Sequence, residues 1–235
     1  MQQGLVALAR AACCALAALP LLAQAAPAKP HVDLCERGQR QSPIDITATK
    51  QQALAPLQFD YRAAPLRIVN DGHTVRVRFA NGSRLLIGRE SLTLQQFHFH
   101  VTGGDRVRGE DFAMAMHFLH KSSAGQLVSL VVLFRLGAEN AALAALLPSM
   151  PPRGQAERVV PALPVDPAQM LPREHGYYAY DGSLTAPPCT EGVRWIVLKT
   201  PLELSAAQVA RLKQLFPNNA RPVQPLNGRV VSESL

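Results

Sequence analysis

The amino-acid sequence predicts a mainly β domain with a few peripheral helices, built on one large twisted sheet or on a barrel. Several runs alternate between apolar and polar residues with the period of two that a strand requires. Helical periodicity is confined to two short stretches. The 235 residues contain no linker rich in Pro, Gly or Ser, and 48% of them are hydrophobic, which is enough for one substantial core.

The N-terminal stretch has the features of a secretory signal peptide. One arginine precedes an apolar run that is short for a membrane span and is interrupted by Pro20, and Ala23 and Ala25 fit an Ala-x-Ala cleavage pattern. We predict a signal peptide over residues 1–25 and one domain over residues 26–235. A membrane anchor is the alternative, but the short run disfavours it. The predicted location is the periplasm or the cell exterior, with no stable membrane anchor.

The cysteines agree with export. Cys13 and Cys14 lie inside the predicted signal peptide, so the mature chain keeps Cys35 and Cys189. Outside the cytoplasm such a pair is free to oxidise, and we predict a disulfide between them. Two unpaired buried thiols are the alternative.

Charge says less about partners. The net charge is +7 and the pI is about 9.6, but the arginines are scattered and few aromatic residues interleave them. A solvated basic surface is therefore favoured over one that binds an anionic envelope, and we expect no nucleic-acid partner. The sequence leaves a homodimer open.

The strands are predicted from alternation and from apolar runs. The stretch from Ile68 to Leu86 alternates around an Asn-Gly pair and predicts strand, turn and strand. Residues 92–100 (LTLQQFHFH) and 112–120 (FAMAMHFLH) alternate again, while residues 127–134 (LVSLVVLF) and 193–198 (VRWIVL) are apolar runs typical of buried strands.

Two helices are predicted beside these strands. Ser205 is a suitable N-cap for residues 206–216, whose Val209, Leu212 and Phe216 fall on one face. Residues 139–147 (ENAALAALL) predict a shorter helix.

Four of the seven histidines crowd into the two alternating runs. In a strand His98 and His100 project from one face, while Phe97 and Phe99 project from the other. Two adjacent imidazoles suit a metal, and a third ligand would have to come from a neighbouring strand. Three histidines and an open fourth position form a zinc site that lowers the pKa of bound water to about 7. Spacing alone does not decide which later histidine ligates, and a structural His-x-His pair remains the alternative.

Five motifs in order give the sequence a resemblance to a known family. They are QFHFH with the later MHFLH, QSPIDI at 41–46, NDGH at 70–73, YDGSLTAPPCTEGVRW at 180–195, and RPVQPLNGR at 221–229. Together they resemble an alpha-class carbonic anhydrase of bacterial export type, from about Cys35 to Arg229. The resemblance implies a single carbonic-anhydrase-like domain with a large twisted, mostly antiparallel central β-sheet.

The resemblance also implies an activity and its residues. It implies reversible hydration of carbon dioxide to bicarbonate and a proton by zinc-bound hydroxide. The zinc ligands would be His98, His100 and His117. Thr185 would accept a hydrogen bond from the hydroxide, and His73 would be the proton shuttle.

Further residues are implied around these. The residues matching the family's substrate pocket are Leu119, Leu184, Thr185, Val193 and Trp195, together with Ser129, which stands where the family usually has valine. Gln96 and the backbone carbonyl of Asn219 would hold the first and second ligands. We leave open whether the Ser129 hydroxyl is simply bonded to backbone.

Two residues of the family pattern are absent. Glutamates that would pair with the third ligand and with Thr185 correspond to Ala115 and Gly104. Asp105 adjoins the second position and would substitute for it only if Gly103 and Gly104 loosened the turn. The alternatives are therefore a zinc-bearing binding protein with weak or lost hydratase activity, and a hydrolase of activated esters.

Overall fold

The alternating and apolar runs form a large twisted sheet, which the computed structural model describes within residues 34–80, 82–216 and 219–235. The predicted signal peptide lies outside the described residues. The strands are β1 (Asp45–Ile46), β2 (Lys50–Gln52), β3 (Leu57–Asp60), β4 (Ala64–Asn70), β5 (Val75–Arg78), β6 (Arg84–Ile87), β7 (Glu90–Val101), β8 (Arg106–Val107), β9 (Met114–Ser122), β10 (Leu127–Leu136), β11 (Arg158–Val165), β12 (Tyr177–Ser183), β13 (Glu191–Leu198), β14 (Leu202–Leu204) and β15 (Ser232–Ser234).

One 13-stranded sheet contains nearly all of these strands. Its main path runs β11-β4-β5-β7-β9-β10-β13-β12-β15-β2, with β6 also pairing β7 and β3, and β14 pairing β10. The pairings are antiparallel except for β10 with β13, β10 with β14, and β15 with β2. Strands β1 and β8 form a separate parallel pair. The predicted fold class, with one large sheet in place of a barrel, is confirmed.

The two faces of the central strands have different roles. On β7, Phe97 and Phe99 enter the larger hydrophobic core, while His98 and His100 point to the other side. A second, smaller cluster lies on the histidine side and includes Ala115, Tyr180 and Trp195. The alternation of the sequence thus separates apolar packing from the polar site.

One detail of the strand prediction is wrong. Between Ile68 and Leu86 the chain forms parts of three strands, because Asp71 and Thr74 close a turn between β4 and β5. Strand β5 pairs with β4 and β7, and β6 pairs with β3 and β7, so β5 and β6 do not form the expected hairpin. Local alternation carries no information about which strand is the partner.

The helices are few and short, as expected. They are α1 (Leu34–Arg37), α2 (Ala141–Leu146) and α3 (Ala206–Leu215), with 3-10 turns at Leu147–Ser149 and Pro167–Met170. Ser205 caps α3 by accepting a hydrogen bond from the backbone N–H of Gln208, whose side chain completes a capping box. In the part of the chain that the structure describes, no helix has the length and apolar character needed to cross a membrane.

The predicted disulfide is present. Cys35 and Cys189 are bonded with their Cα atoms 5.0 Å apart and 154 residues apart in sequence. The bond ties the segment before β1 to the loop between β12 and β13. That loop carries Thr185, so the disulfide supports one wall of the histidine site.

Candidate metal centre

Three histidines from two neighbouring strands form one cluster. His98 and His100 lie on β7, and the strand register places His98 directly opposite His117 on β9. The ring centroids are 4.9 Å apart for His98 and His100, 5.2 Å for His98 and His117, and 4.4 Å for His100 and His117. One ring nitrogen from each lies within 4.8 Å of the others, close enough to share one metal ion.

Hydrogen bonds orient two of these rings. His98 Nδ1 is 3.0 Å from Oε1 of Gln96, and His100 Nδ1 is 3.2 Å from the backbone oxygen of Asn219. A carbonyl oxygen only accepts, so Nδ1 carries the proton and Nε2 keeps its lone pair. The Asn219 side chain donates a hydrogen bond to the carbonyl of Phe99 and accepts one from the backbone N–H of Val101. These two bonds to β7 hold Asn219 in place, and with it the backbone carbonyl that contacts His100.

Burial keeps the three imidazoles neutral. It lowers the pKa of His98 and His117 well below the usual value, and it lowers the pKa of His100 to about 4. Mutual repulsion among nearby positive charges acts in the same direction. The rings therefore offer lone pairs to a metal at neutral pH without first losing protons.

His117 is held differently from the other two rings. Its ring meets Trp195 edge to face, with centroids 5.0 Å apart. Its Nε2 is buried and has no hydrogen-bond partner among the described residues. Ala115, two residues earlier on the same face of β9, ends at a methyl group where the resemblance implies a carboxylate.

A zinc ion fits this set of donors. His100 Nε2 is a second buried ring nitrogen that lacks a partner within the described residues, and it belongs to the cluster. A buried unpaired nitrogen is rare in a folded protein and is satisfied when it ligates a metal. Three neutral imidazoles are a common donor set for a zinc ion that keeps an open position.

A cavity of about 270 Å³ opens above the imidazoles. The residues predicted to form the substrate pocket all line it, namely Leu119, Ser129, Leu184, Thr185, Val193 and Trp195. Most of this wall is apolar, which suits a small uncharged ligand. Ser129 and Thr185 are the polar members of this set, and Ser129 is only 4% exposed.

Thr185 lies at the edge of this cavity, on the loop that the disulfide supports. The side-chain amide of Gln41 donates a 3.1 Å hydrogen bond to the carbonyl of Cys189, which holds the same loop from the other side. The Thr185 hydroxyl has no hydrogen-bond partner in the described part of the chain. Gly104 offers none because it has no side chain, and a methyl group there would meet only Pro43 within 4 Å.

Asp105 does not substitute for the missing glutamate at Gly104. Its Oδ1 accepts hydrogen bonds from the backbone N–H of Ile44 at 3.1 Å and from the hydroxyl of Tyr180 at 2.7 Å. Its Oδ2 is buried without a partner among the residues described. The carboxyl group is thus bonded to Ile44 and Tyr180 and makes no hydrogen bond to Thr185.

His73 lies at the mouth of the cavity. It is exposed, and its ring centroid is 6.3 Å from that of His100. Asp71 Oδ1 accepts hydrogen bonds from the backbone N–H groups of His73 and Thr74, which fixes the turn. Arg76 pairs with Asp71 at 2.7 Å and also lines the cavity. Sequence reasoning missed this role of Arg76, although Asp71 belongs to the NDGH motif and Arg76 follows it by three residues.

His120 lies apart from the cluster. It is fully buried, its Nε2 is 2.7 Å from the Tyr61 hydroxyl, and its Nδ1 is 3.0 Å from the Phe118 carbonyl. Burial lowers the pKa of His120 to about 3. Because His117 and His120 are three residues apart on one strand, only His117 faces His98 and His100.

Comparisons with known proteins agree with this geometry. Residues 27–235 match the family model described as eukaryotic-type carbonic anhydrase. A carbonic anhydrase from Pectobacterium carotovorum is 40% identical over 204 residues, covering 86% of this chain and 83% of the relative.

Two solved structures have the same fold. The Photobacterium profundum alpha-carbonic anhydrase is 40% identical with a TM-score of 0.81, covering 85% of this chain and 92% of that one. The alpha-carbonic anhydrase from Thermovibrio ammonificans, solved with the inhibitor sulfanilamide, is 38% identical with a TM-score of 0.82, covering 87% and 91%.

Proposed function

The chain belongs to the eukaryotic-type carbonic anhydrase family and is a carbonic anhydrase, and from this premise we propose that it hydrates carbon dioxide reversibly with one zinc ion. The observation that carries the proposal is the cluster of neutral imidazoles, which have one nitrogen each within 4.8 Å of one another. Zinc, when bound, lowers the pKa of a water molecule to about 7 and so supplies hydroxide at neutral pH.

We propose that His98, His100 and His117 hold the zinc. Gln96 and the carbonyl of Asn219 hold the first two rings by their Nδ1 protons and so present Nε2 of each ring to the ion. His117 has no such partner: its Nε2 is buried without a hydrogen bond among the described residues, so no hydrogen bond selects which of its two nitrogens would face the metal. Trp195 packs against this ring and limits its rotation.

The apolar wall is the proposed site for carbon dioxide. The substrate is uncharged, so Leu119, Leu184, Val193 and Trp195 bind it by contact and keep bulk water away from its carbon atom. The Thr185 hydroxyl at the cavity edge aligns the reacting oxygen with that carbon. With no carboxylate to fix its direction, this hydroxyl is less well oriented than the family pattern implies, and we expect a lower turnover for that reason.

His73 is the proposed proton carrier. Hydration releases one proton for each bicarbonate, and that proton must reach the buffer before the next turnover. An exposed imidazole at the cavity mouth accepts a proton from inside and releases it to solvent.

We further propose that the enzyme acts outside the cytoplasm. Two observations support this location. Disulfides such as the one between Cys35 and Cys189 persist in oxidising compartments, and residues 1–25 have the pattern of a signal peptide. A periplasmic or secreted monomer or homodimer without a membrane anchor agrees with both.

Substitution of the ligands tests the proposal. We expect His98→Ala and His117→Ala each to lose bound zinc and hydration activity together. His175→Ala is the matched control, because His175 packs against Phe59 and does not line the cavity. Wild-type zinc content and hydration in either ligand variant would overturn the proposed site.

A further inference from the structure

Ser129 is a polar residue in the middle of an apolar wall. It lies on β10 between Val128 and Leu130, and the register places it directly beside Leu119 of β9 and Trp195 of β13. The three side chains therefore form one row across the sheet. The residue is 4% exposed and lines the cavity.

The hydroxyl of Ser129 has no hydrogen-bond partner within the described parts of the chain. Buried hydroxyl groups nearly always bond to a backbone carbonyl or to another side chain. No backbone carbonyl among the described residues accepts a hydrogen bond from Ser129, unlike the alternative considered for it. Ser129 lines the cavity, so a hydroxyl there without a protein partner is available to a ligand in that cavity.

The position of Ser129 relative to the imidazoles limits the size of that ligand. Val131 pairs with His117 in the β9–β10 register, so Ser129 is the diagonal neighbour of His117. Diagonal neighbours across an antiparallel pair lie about 7 to 8 Å apart. Ser129 and the three histidines line the same cavity of about 270 Å³, which has room for a molecule with one carbon atom and its oxygens.

We propose that the Ser129 hydroxyl donates a hydrogen bond to an oxygen of bicarbonate and so makes this cavity bind small oxyanions more tightly than a fully apolar cavity would. Carbon dioxide is a weak acceptor and gains little from the hydroxyl, whereas an anionic oxygen is a strong acceptor. The proposal rests on the proposed function, because bicarbonate is the product of hydration and the substrate of the reverse reaction. It assigns Ser129 to the binding of that anion.

Four side chains at position 129 separate the hydroxyl from its volume. Ser129→Ala removes the hydroxyl from a small residue, and Ser129→Thr and Ser129→Val are a pair of equal size that differ only in the hydroxyl. Formate is a stable probe with one carbon and two oxygens. Its dissociation constant is measured by calorimetry on the zinc-loaded protein, and the KM for bicarbonate is measured in the dehydration direction.

We expect formate to bind about 10-fold more weakly to the Ala and Val variants, with little change in the Thr variant. The KM for bicarbonate should rise in the same two variants. The proposal is overturned if affinity follows size, with Ser equal to Ala and Thr equal to Val, or if all four proteins bind formate alike. If the Thr and Val variants do not fold, the formate dissociation constants of Ser129→Ala and of the wild type still test the proposal, because these two proteins also differ by the hydroxyl.

The same data distinguish this proposal from the proposed function. If formate binding depends on the hydroxyl but the zinc-loaded protein hydrates no carbon dioxide, the proposed function is contradicted and the anion site is supported. If hydration is normal but the hydroxyl affects neither formate nor bicarbonate, the proposed function is supported and the anion site is contradicted.

Discussion

The hydroxyl of Tyr180 donates a 2.7 Å hydrogen bond to Oδ1 of Asp105, and both residues are buried. The backbone N–H of Ile44 donates to the same oxygen. These two bonds favour the ionised carboxylate, but burial outweighs them and raises the pKa of Asp105 from 3.8 to about 6. The protein therefore contains a buried carboxyl group that titrates in mildly acidic conditions.

This carboxyl group should make stability depend on pH. The folded protein binds the proton more tightly than the unfolded chain, so the free energy of unfolding falls as the pH rises from about 4 through about 6. A rise of about two units in pKa corresponds to on the order of 3 kcal/mol. We expect Asp105→Asn, which keeps the Oδ1 acceptor and cannot ionise, to lose this dependence in urea unfolding measured from pH 4 to 8.

Tyr180→Phe tests the contribution of the Tyr180 hydrogen bond to the pKa of Asp105. Loss of the Tyr180 hydrogen bond should raise the pKa of Asp105 further, so the fall in stability should extend to higher pH than in the wild type. Parallel stability profiles for the wild type and Asp105→Asn would contradict this view of Asp105.

Restoring a carboxylate at position 115 should strengthen zinc binding. A glutamate there would lie on the same face of β9 as His117 and would accept a hydrogen bond from the N–H of its ring, whose buried Nε2 has no partner among the described residues. We expect Ala115→Glu to slow the loss of zinc to a chelator by about 10 to 100-fold. Because Ala115 is fully buried, the larger side chain should lower the unfolding free energy of the zinc-free protein by about 1 to 3 kcal/mol.

Ala115→Gln is the control of equal size. It should show the same loss of stability, with a smaller gain in zinc retention, because its amide oxygen is a weaker acceptor than a carboxylate. Identical zinc release from the Glu and Gln variants would show that charge at this position does not matter.

His73→Ala should separate proton transfer from the hydration step. We expect kcat to fall about 10-fold or more in dilute buffer while kcat/KM changes little, since the substrate wall is unaltered. Added imidazole should restore kcat by carrying the proton. A kcat that is unchanged in dilute buffer, or that imidazole does not restore, would remove His73 from this role.

The disulfide should contribute most of its stability through the length of the loop that it closes. Cys35 and Cys189 are 154 residues apart in sequence, and for a loop of this length the loop-entropy model gives about 4 to 5 kcal/mol. The double variant Cys35→Ser, Cys189→Ser should lose stability of this order in denaturant unfolding. The reduced wild type serves as the control and should unfold with it; a loss under about 1 kcal/mol would contradict the prediction.

The sequence was most informative where one strand determines the outcome. The period of two in β7 places His98 and His100 together and opposite Phe97 and Phe99, whatever the rest of the fold does. Spacing did not identify the third histidine of the cluster, because both His117 and His120 lie on the next long strand. The strand register that places His98 opposite His117 is set by the tertiary fold and has no signal in the local sequence.

Other features of the site have no local signal. Tyr180 and Asp105 are 75 residues apart and meet only because their segments are brought together by the fold. The unpartnered hydroxyl of Ser129 could be seen in the sequence only as an odd residue in an apolar run. Whether it bonds to backbone or faces a cavity depends on packing that no single strand specifies.

Hydration of carbon dioxide by the purified protein, followed by stopped flow before and after chelation and again after zinc is restored, tests the central claim most directly. We predict stoichiometric zinc, hydration that is lost on chelation, and recovery when zinc returns. Stoichiometric zinc without hydration would contradict the proposed function and favour a zinc-bearing binding protein. A chain that binds no zinc would contradict the site formed by His98, His100 and His117.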